Sequence, residues 1–139
     1  MLRFAIPANS QDKQVTRPFK GSFYAVDVPP YGNPQPLSIS GNATHLGRFT
    51  GSMDFYKPPI STFYLKGTLI AANGDEIFFE SYPILSYISF PHYGKLSGEF
   101  EFAGGTGRFN NCSGVVKISG VFNMDEDYAK WMADGWIKY

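Results

Sequence analysis

The chain has a single cysteine, Cys112, among its 139 residues. No disulfide can form within it, and its fold cannot depend on an oxidising compartment. It has only two histidines, His45 and His92. Neither has a His or Cys partner at ligand spacing, so a zinc site would need acids gathered from distant loops, and neither metal nor cofactor is expected. Charge of one sign is not in excess, since 12 Lys and Arg balance 12 Asp and Glu. Without a basic run the electrostatic footprint of a nucleic-acid binder is missing, and nucleic acid is not an expected partner. Met1 to Ile6 is too short, and too broken by Arg3 and Pro7, for a secretory apolar segment. The expected setting is therefore cytoplasmic, a secreted chain whose signal peptide has been removed being the alternative, and no membrane partner is expected. Asn42-Ala43-Thr44 and Asn111-Cys112-Ser113 match the glycosylation pattern, which without a secretion signal reads as coincidence.

Aromatics are plentiful at 17%, with 13 Phe and 9 Tyr, and 15 Gly and 10 Pro are spread along the chain. That mixture favours strands joined by many turns. Glu99 and Glu101 alternate with Phe100 and Phe102, which gives a strand one wet and one dry face. Gly104, Gly105 and Gly107 then turn the chain, and Arg108-Phe109 is expected to open a second strand running to Phe122. Residues 1 to 18 have no period and read as an N-terminal arm, leaving 19 to 139 as one domain. Strands are expected over Phe19 to Val28, Leu37 to Thr44, Gly47 to Tyr56, Thr62 to Ala72 and Glu76 to Tyr82. Asn73-Gly74 suits a type I′ turn between the last two. Pro83 to Tyr93 reads as irregular. Asp125-Glu126-Asp127 ahead of Tyr128, Trp131 and Met132 predicts a short helix stopped by Gly135, with a last short strand over Trp136 to Tyr139. Glycine inside the strands, at Gly41, Gly51, Gly67, Gly98 and Gly120, suits a coiled sheet that closes on itself and hides its edges. The fold class is all-β, a closed antiparallel barrel.

The hairpin carries a family resemblance. Phe102-Ala103-Gly104-Gly105-Thr106-Gly107-Arg108-Phe109, followed by Gly114 and a Val/Ile strand, resembles the signature hairpin of the allene oxide cyclase barrel superfamily, which includes dirigent proteins. Thr44-His45-Leu46-Gly47 is similar to a stretch that precedes a strand in small bacterial proteins of that barrel type. Gly135 to Tyr139 resembles their closing strand. The resemblance spans roughly Phe19 to Tyr139 and implies an eight-stranded antiparallel barrel with an apolar interior, often assembled into dimers or trimers. The plant cyclases carry a Glu and an Asn two apart on their first strand. Ala25 and Asp27 stand there in this chain, so the resemblance carries the fold and leaves the reaction open.

Several stretches invite a chemical reading. Gly104 to Gly107 looks like a phosphate cradle, but such a loop needs a helix behind it, and a strand is expected here. Cys112 reads as a buried, inert thiol. His45 reads either as a hydrogen-bonded turn residue or as an acid/base group that orients a ligand. Asp27, Asp54, Asp75, Glu76 and Glu80 lie on or beside strands, where pairs of carboxylates could meet. The aromatics either fill the barrel or wall a cavity for one flat or elongated apolar molecule. The candidate ligand-binding residues are His45, Asp27 and Arg108 as polar groups, with Tyr24, Phe63 and Phe102 as walls. Binding of a small apolar molecule in the barrel is the leading expectation. The alternatives are an isomerase or cyclase that confines a reactive intermediate, and an oligomeric barrel with a filled core.

Overall fold

A computed structural model describes residues 13–57 and 62–139 of the chain. The first twelve residues of the expected arm lie outside the described residues. The strands are β1 (Thr16–Asp27), β2 (Gln35–Ala43), β3 (Gly47–Tyr56), β4 (Tyr64–Ile70), β5 (Glu76–Ser81), β6 (Ile84–Ser89), β7 (Tyr93–Gly105), β8 (Ser113–Asn123) and β9 (Tyr128–Lys138). They form one antiparallel sheet in the order β5-β4-β3-β2-β1-β9-β8-β7-β6, and β5 also pairs with β7. That last pairing closes the barrel and removes its edges.

β5 and β6 occupy one position in the ring. Ser81 lies opposite Phe100 and Ile84 opposite Ser97, so the register on β7 runs straight across the gap between them. Pro83, which has no N–H to donate, interrupts what is otherwise a single long strand. The barrel is therefore eight-stranded, with a broken eighth strand. Pro83 to Tyr93 is more regular than its composition suggests, because alternation along Ile84 to Ser89 is masked by residues that are apolar on both faces.

Four other local expectations are corrected. No helix forms after Phe122: Asp125-Glu126-Asp127 makes a turn, and Tyr128 to Lys138 is one long strand paired to both β1 and β8. Helical spacing of Tyr128, Trp131 and Met132 lost to two full ladders of backbone hydrogen bonds. Gly135 is in that strand, where a Cβ would lie 2.1 Å from the Val115 carbonyl oxygen. Arg108-Phe109 does not open a strand. Gly107–Phe109 is a single 3₁₀ turn that drives Phe109 into the core, and β8 begins at Ser113. At the β4–β5 turn only Gly74 has positive φ, at 95°. Ala71 N–H donates to Asp75 O and Gly74 N–H to Ala71 O, which is a three-residue turn with Gly in the left-handed position. The strand pairing it was expected to enforce, Ile70 with Glu76, is present. β1 begins at Thr16, and Pro18 lies within it opposite Trp136.

Close strand approach explains the glycines. A Cβ at Gly120 would lie 2.0 Å from the Lys130 carbonyl oxygen and 2.6 Å from the Trp131 Cβ. β8 can therefore tuck against β9 only because Gly120 has no side chain, and the room inside goes to the Trp131 ring. The core is packed unevenly along the barrel axis. At the end that holds the β2–β3, β4–β5 and β7–β8 turns, Phe19, Phe49, Phe102 and Phe109 are fully buried, and Phe19 meets Phe102 edge to face at 5.0 Å. Each such ring contributes about 1.5–3 kcal/mol of burial. This end is closed. No helix among the described residues is long and apolar enough to cross a membrane.

Candidate functional site

Polar side chains gather at both ends of the barrel, and the two groups have different chemistry. At the closed end His45 sits in the β2–β3 turn with φ of 68°. Its Nε2 is 2.8 Å from the Pro18 carbonyl oxygen, and its Nδ1 is 3.0 Å from the Tyr139 hydroxyl. A carbonyl can only accept, so Nε2 carries the proton and donates, and Nδ1 accepts from the Tyr139 hydroxyl. Arg108 Nη2 donates to the His45 carbonyl oxygen, its Nε lies 3.4 Å from Asp75 Oδ2, and its guanidinium covers the Phe109 ring at 4.6 Å. Arg17 covers the Tyr139 ring at 4.4 Å. One cluster thus ties together three turns and both chain-end strands. Both His45 nitrogens are engaged, and the ring is committed to holding this end shut.

The other end is open. A cavity of about 90 Å³ enters the barrel between the β1–β2 connection, the end of β3 at Phe55 and Lys57, and the β8–β9 turn. Leu37, Met53, Leu65, Leu85, Leu96 and Phe122 line its walls, together with the Phe100 and Trp131 rings. These two rings belong to an aromatic belt across the middle of the barrel. Phe79 stacks on Phe100 at 4.7 Å and Phe23 stacks on Trp131 at 5.4 Å, while Phe49 of the closed end meets Phe23 at 4.8 Å. The belt forms the floor of the cavity and separates it from the packed closed end. Trp131 is only 4% exposed, and its Nε1–H has no acceptor among the described residues. An indole N–H left unpaired in a core has lost water without replacement.

The rim is polar. Asp27, at the end of β1, and Asp127, in the β8–β9 turn, both border the cavity with Lys57 and Gln35. Gln35 is buried because its amide is fully used: Nε2 donates to the carbonyls of Val28 and Pro36, and Oε1 accepts from Gly32 N–H. Asp27 N–H donates to the Asp127 carbonyl at 3.1 Å, which brings the two carboxylates together on the rim. The Asp27 carboxyl is held above its ordinary pKa, first by burial and then by the Asp127 charge, while Lys57 pulls the other way. Asp127 takes φ of 57°, a left-handed position that Asp tolerates better than most residues.

Of the six residues proposed from sequence, the structure places Asp27 on the rim of this cavity. His45 and Arg108 come together at the opposite end. Phe102 is buried there against Phe19. Tyr24 faces outward and stacks on Tyr128 at 5.9 Å, and Phe63 stacks on Phe55 beside the rim at 5.4 Å. Sequence reasoning missed Trp131 and Asp127, because a helix was assigned across both. Lys57 is not among the six. The signal that could have found Trp131 is the alternation of Trp131, Ala133, Gly135 and Ile137 with charged residues, which marks an inward strand face. Cys112 is buried and its thiol bonds the Gly104 carbonyl. Burial raises its pKa and keeps it protonated. Among the described residues no three His, Cys, Asp or Glu side chains converge on a point where a metal ion would sit.

No protein-family model and no curated protein sequence matches the chain. Among solved structures it is similar to a pterocarpan synthase dirigent protein, with a TM-score of 0.56, 11% sequence identity, and coverage of 91% of this chain and 92% of the other. The fold is that of a dirigent-type barrel. The alignment runs over nearly the whole of both chains, so the likeness is one of the entire fold. At 11% identity the likeness concerns the backbone path, and the side chains inside this dirigent-type barrel are its own.

Proposed function

We propose that this dirigent-type barrel binds a small, largely apolar molecule whose slender end enters the open-end cavity. The observation that carries the reading is the uneven core: one end is packed solid, while the other leaves an apolar recess floored by Phe100 and Trp131 and rimmed by Asp27, Lys57 and Asp127. Sites for whole drug-sized ligands run to roughly 300–1,000 Å³. A cavity of about 90 Å³ therefore takes part of a ligand and leaves the rest at the rim. The test is native mass spectrometry of the purified protein against the same sample denatured. An added mass released on denaturation supports the reading, and failure of any small apolar compound to perturb residues of the recess overturns it.

A second reading is favoured by one observation, the raised pKa of Asp27 beside the cavity. A carboxyl that keeps its proton longer than usual can lend it to a confined intermediate, which is the step an isomerase or cyclase needs. The similar barrel is itself a synthase. Turnover that is lost in Asp27→Asn while binding persists would establish this reading; binding without turnover of any bound compound would set it aside. The outer face of β1, β8 and β9 exposes Tyr24, Val121, Met132 and Trp136, which supports a homodimer or trimer through that face, to be checked by light scattering. A single buried thiol with no disulfide accords with a cytoplasmic setting.

A further inference from the structure

We propose that the molecule taken by the open-end recess is an amine: an apolar chain or ring whose ammonium end is held between the Asp27 and Asp127 carboxylates. The inference rests on the binding reading above and adds the chemical class of the ligand. The recess walls are apolar, so only the end left at the rim can be charged. What waits there is anionic. The backbone bond from Asp27 to Asp127 fixes the two acids side by side, and among the described residues neither carboxylate accepts a hydrogen bond.

A carboxylate set against an apolar wall has given up water on one face, and it recovers most from a charged donor. Asp125, on the same turn, is already used by His92 at 3.0 Å, which leaves Asp27 and Asp127 as the unsatisfied acids. Lys57 is the cation that acts on Asp27, and its Nζ lies 5.7 Å from the centre of the Phe55 ring. The rim thus already holds one ammonium against an aromatic wall, a geometry in which ring and cation attract. One ammonium facing two carboxylates leaves the rim short of a positive charge. An incoming amine supplies it, an alcohol supplies a donor without charge, and a carboxylic acid adds a third anion.

The experiment compares 1-hexylamine, 1-hexanol and hexanoate at pH 7 and low salt, followed in ¹H–¹⁵N NMR spectra, in which the Trp131 indole N–H reports occupation of the recess. The expected result is that hexylamine binds about 10-fold more tightly than hexanol, in keeping with a hydrogen bond to a charged group, and that hexanoate binds most weakly. In the Asp27→Asn, Asp127→Asn double variant the preference for the amine should vanish, with hexylamine binding no more tightly than hexanol. Both substitutions keep side-chain size, and Asn suits the left-handed backbone at position 127. The wild-type pattern of backbone signals checks the fold. Equal binding of amine and alcohol, or an amine preference that survives in the double variant, overturns the amine inference and leaves the binding reading standing. No effect of any of the three on the Trp131 signal overturns both.

Discussion

Replacing Phe100 with Ala tests the link between the core and the cavity. The ring is fully buried, stacks on Phe79, and meets Phe23 at 5.9 Å and Trp131 at 5.7 Å edge to face. It also lines the cavity floor. Removing it deletes the buried transfer energy and leaves a void that the surrounding strands, held by ladders on both sides, cannot close. Such changes cost about 3–5 kcal/mol. For a domain of this size each kcal/mol moves the melting temperature by roughly 4 °C, so a drop of roughly 12–20 °C is expected in a calorimetric or circular-dichroism melt. The void joins the existing recess. A small aromatic such as benzene should then restore part of the loss, by about 2.7 kcal/mol at a concentration 100 times its dissociation constant. A variant that melts within 3 or 4 °C of wild type, about the 1 kcal/mol scale, would show that the aromatic belt is not the packed floor described here. Destabilisation without benzene rescue would show that the new void does not open to the mouth.

Glycine positions give a paired comparison. Gly120→Ala puts a methyl group 2.0 Å from the Lys130 carbonyl oxygen, whereas a Cβ at Gly32 meets nothing within 4 Å; the first should lose about 1–3 kcal/mol in urea unfolding and the second should change by less than about 1. Asp27 has a folded-state pKa above its unfolded value, so the native state holds that proton more tightly and its favourable contribution fades as pH rises through the folded pKa. Asp27→Asn is therefore expected to raise the melting temperature at pH 7 and to lose that advantage near pH 3; a destabilised variant at pH 7 would contradict the burial and charge repulsion assigned to Asp27. Tyr139→Phe removes the hydroxyl that donates to His45 Nδ1 and should cost about 0.5–1.5 kcal/mol without altering ligand binding at the other end. Cys112 should react with a thiol reagent only at the rate of unfolding, which a comparison of native and urea-treated protein measures.

Much of the barrel was legible because its strands are half-buried. Alternation along Leu65 to Ala71 and Phe100 to Phe102 follows from the period of two in a strand, and the glycine-rich hairpin fixes where β7 turns toward β8. The C-terminal strand was not legible in this way. Tyr128, Trp131 and Met132 fit helical spacing locally, and only the presence of β1 and β8 on either side, each offering a free ladder, makes the extended form the better one. The same holds for the broken strand at Pro83, whose continuity is visible only from its register on β7. Composition and periodicity thus set the fold class and most of the inward-facing residues, since those depend on short-range geometry. Where the cavity lies was decided by tertiary structure alone. Strand order and stagger put Phe109 and His45 at one end and Asp27, Lys57 and Asp127 at the other, although these residues are scattered over 100 positions of the chain. Meeting of that kind depends on barrel closure, a long-range condition that no local stretch of residues encodes.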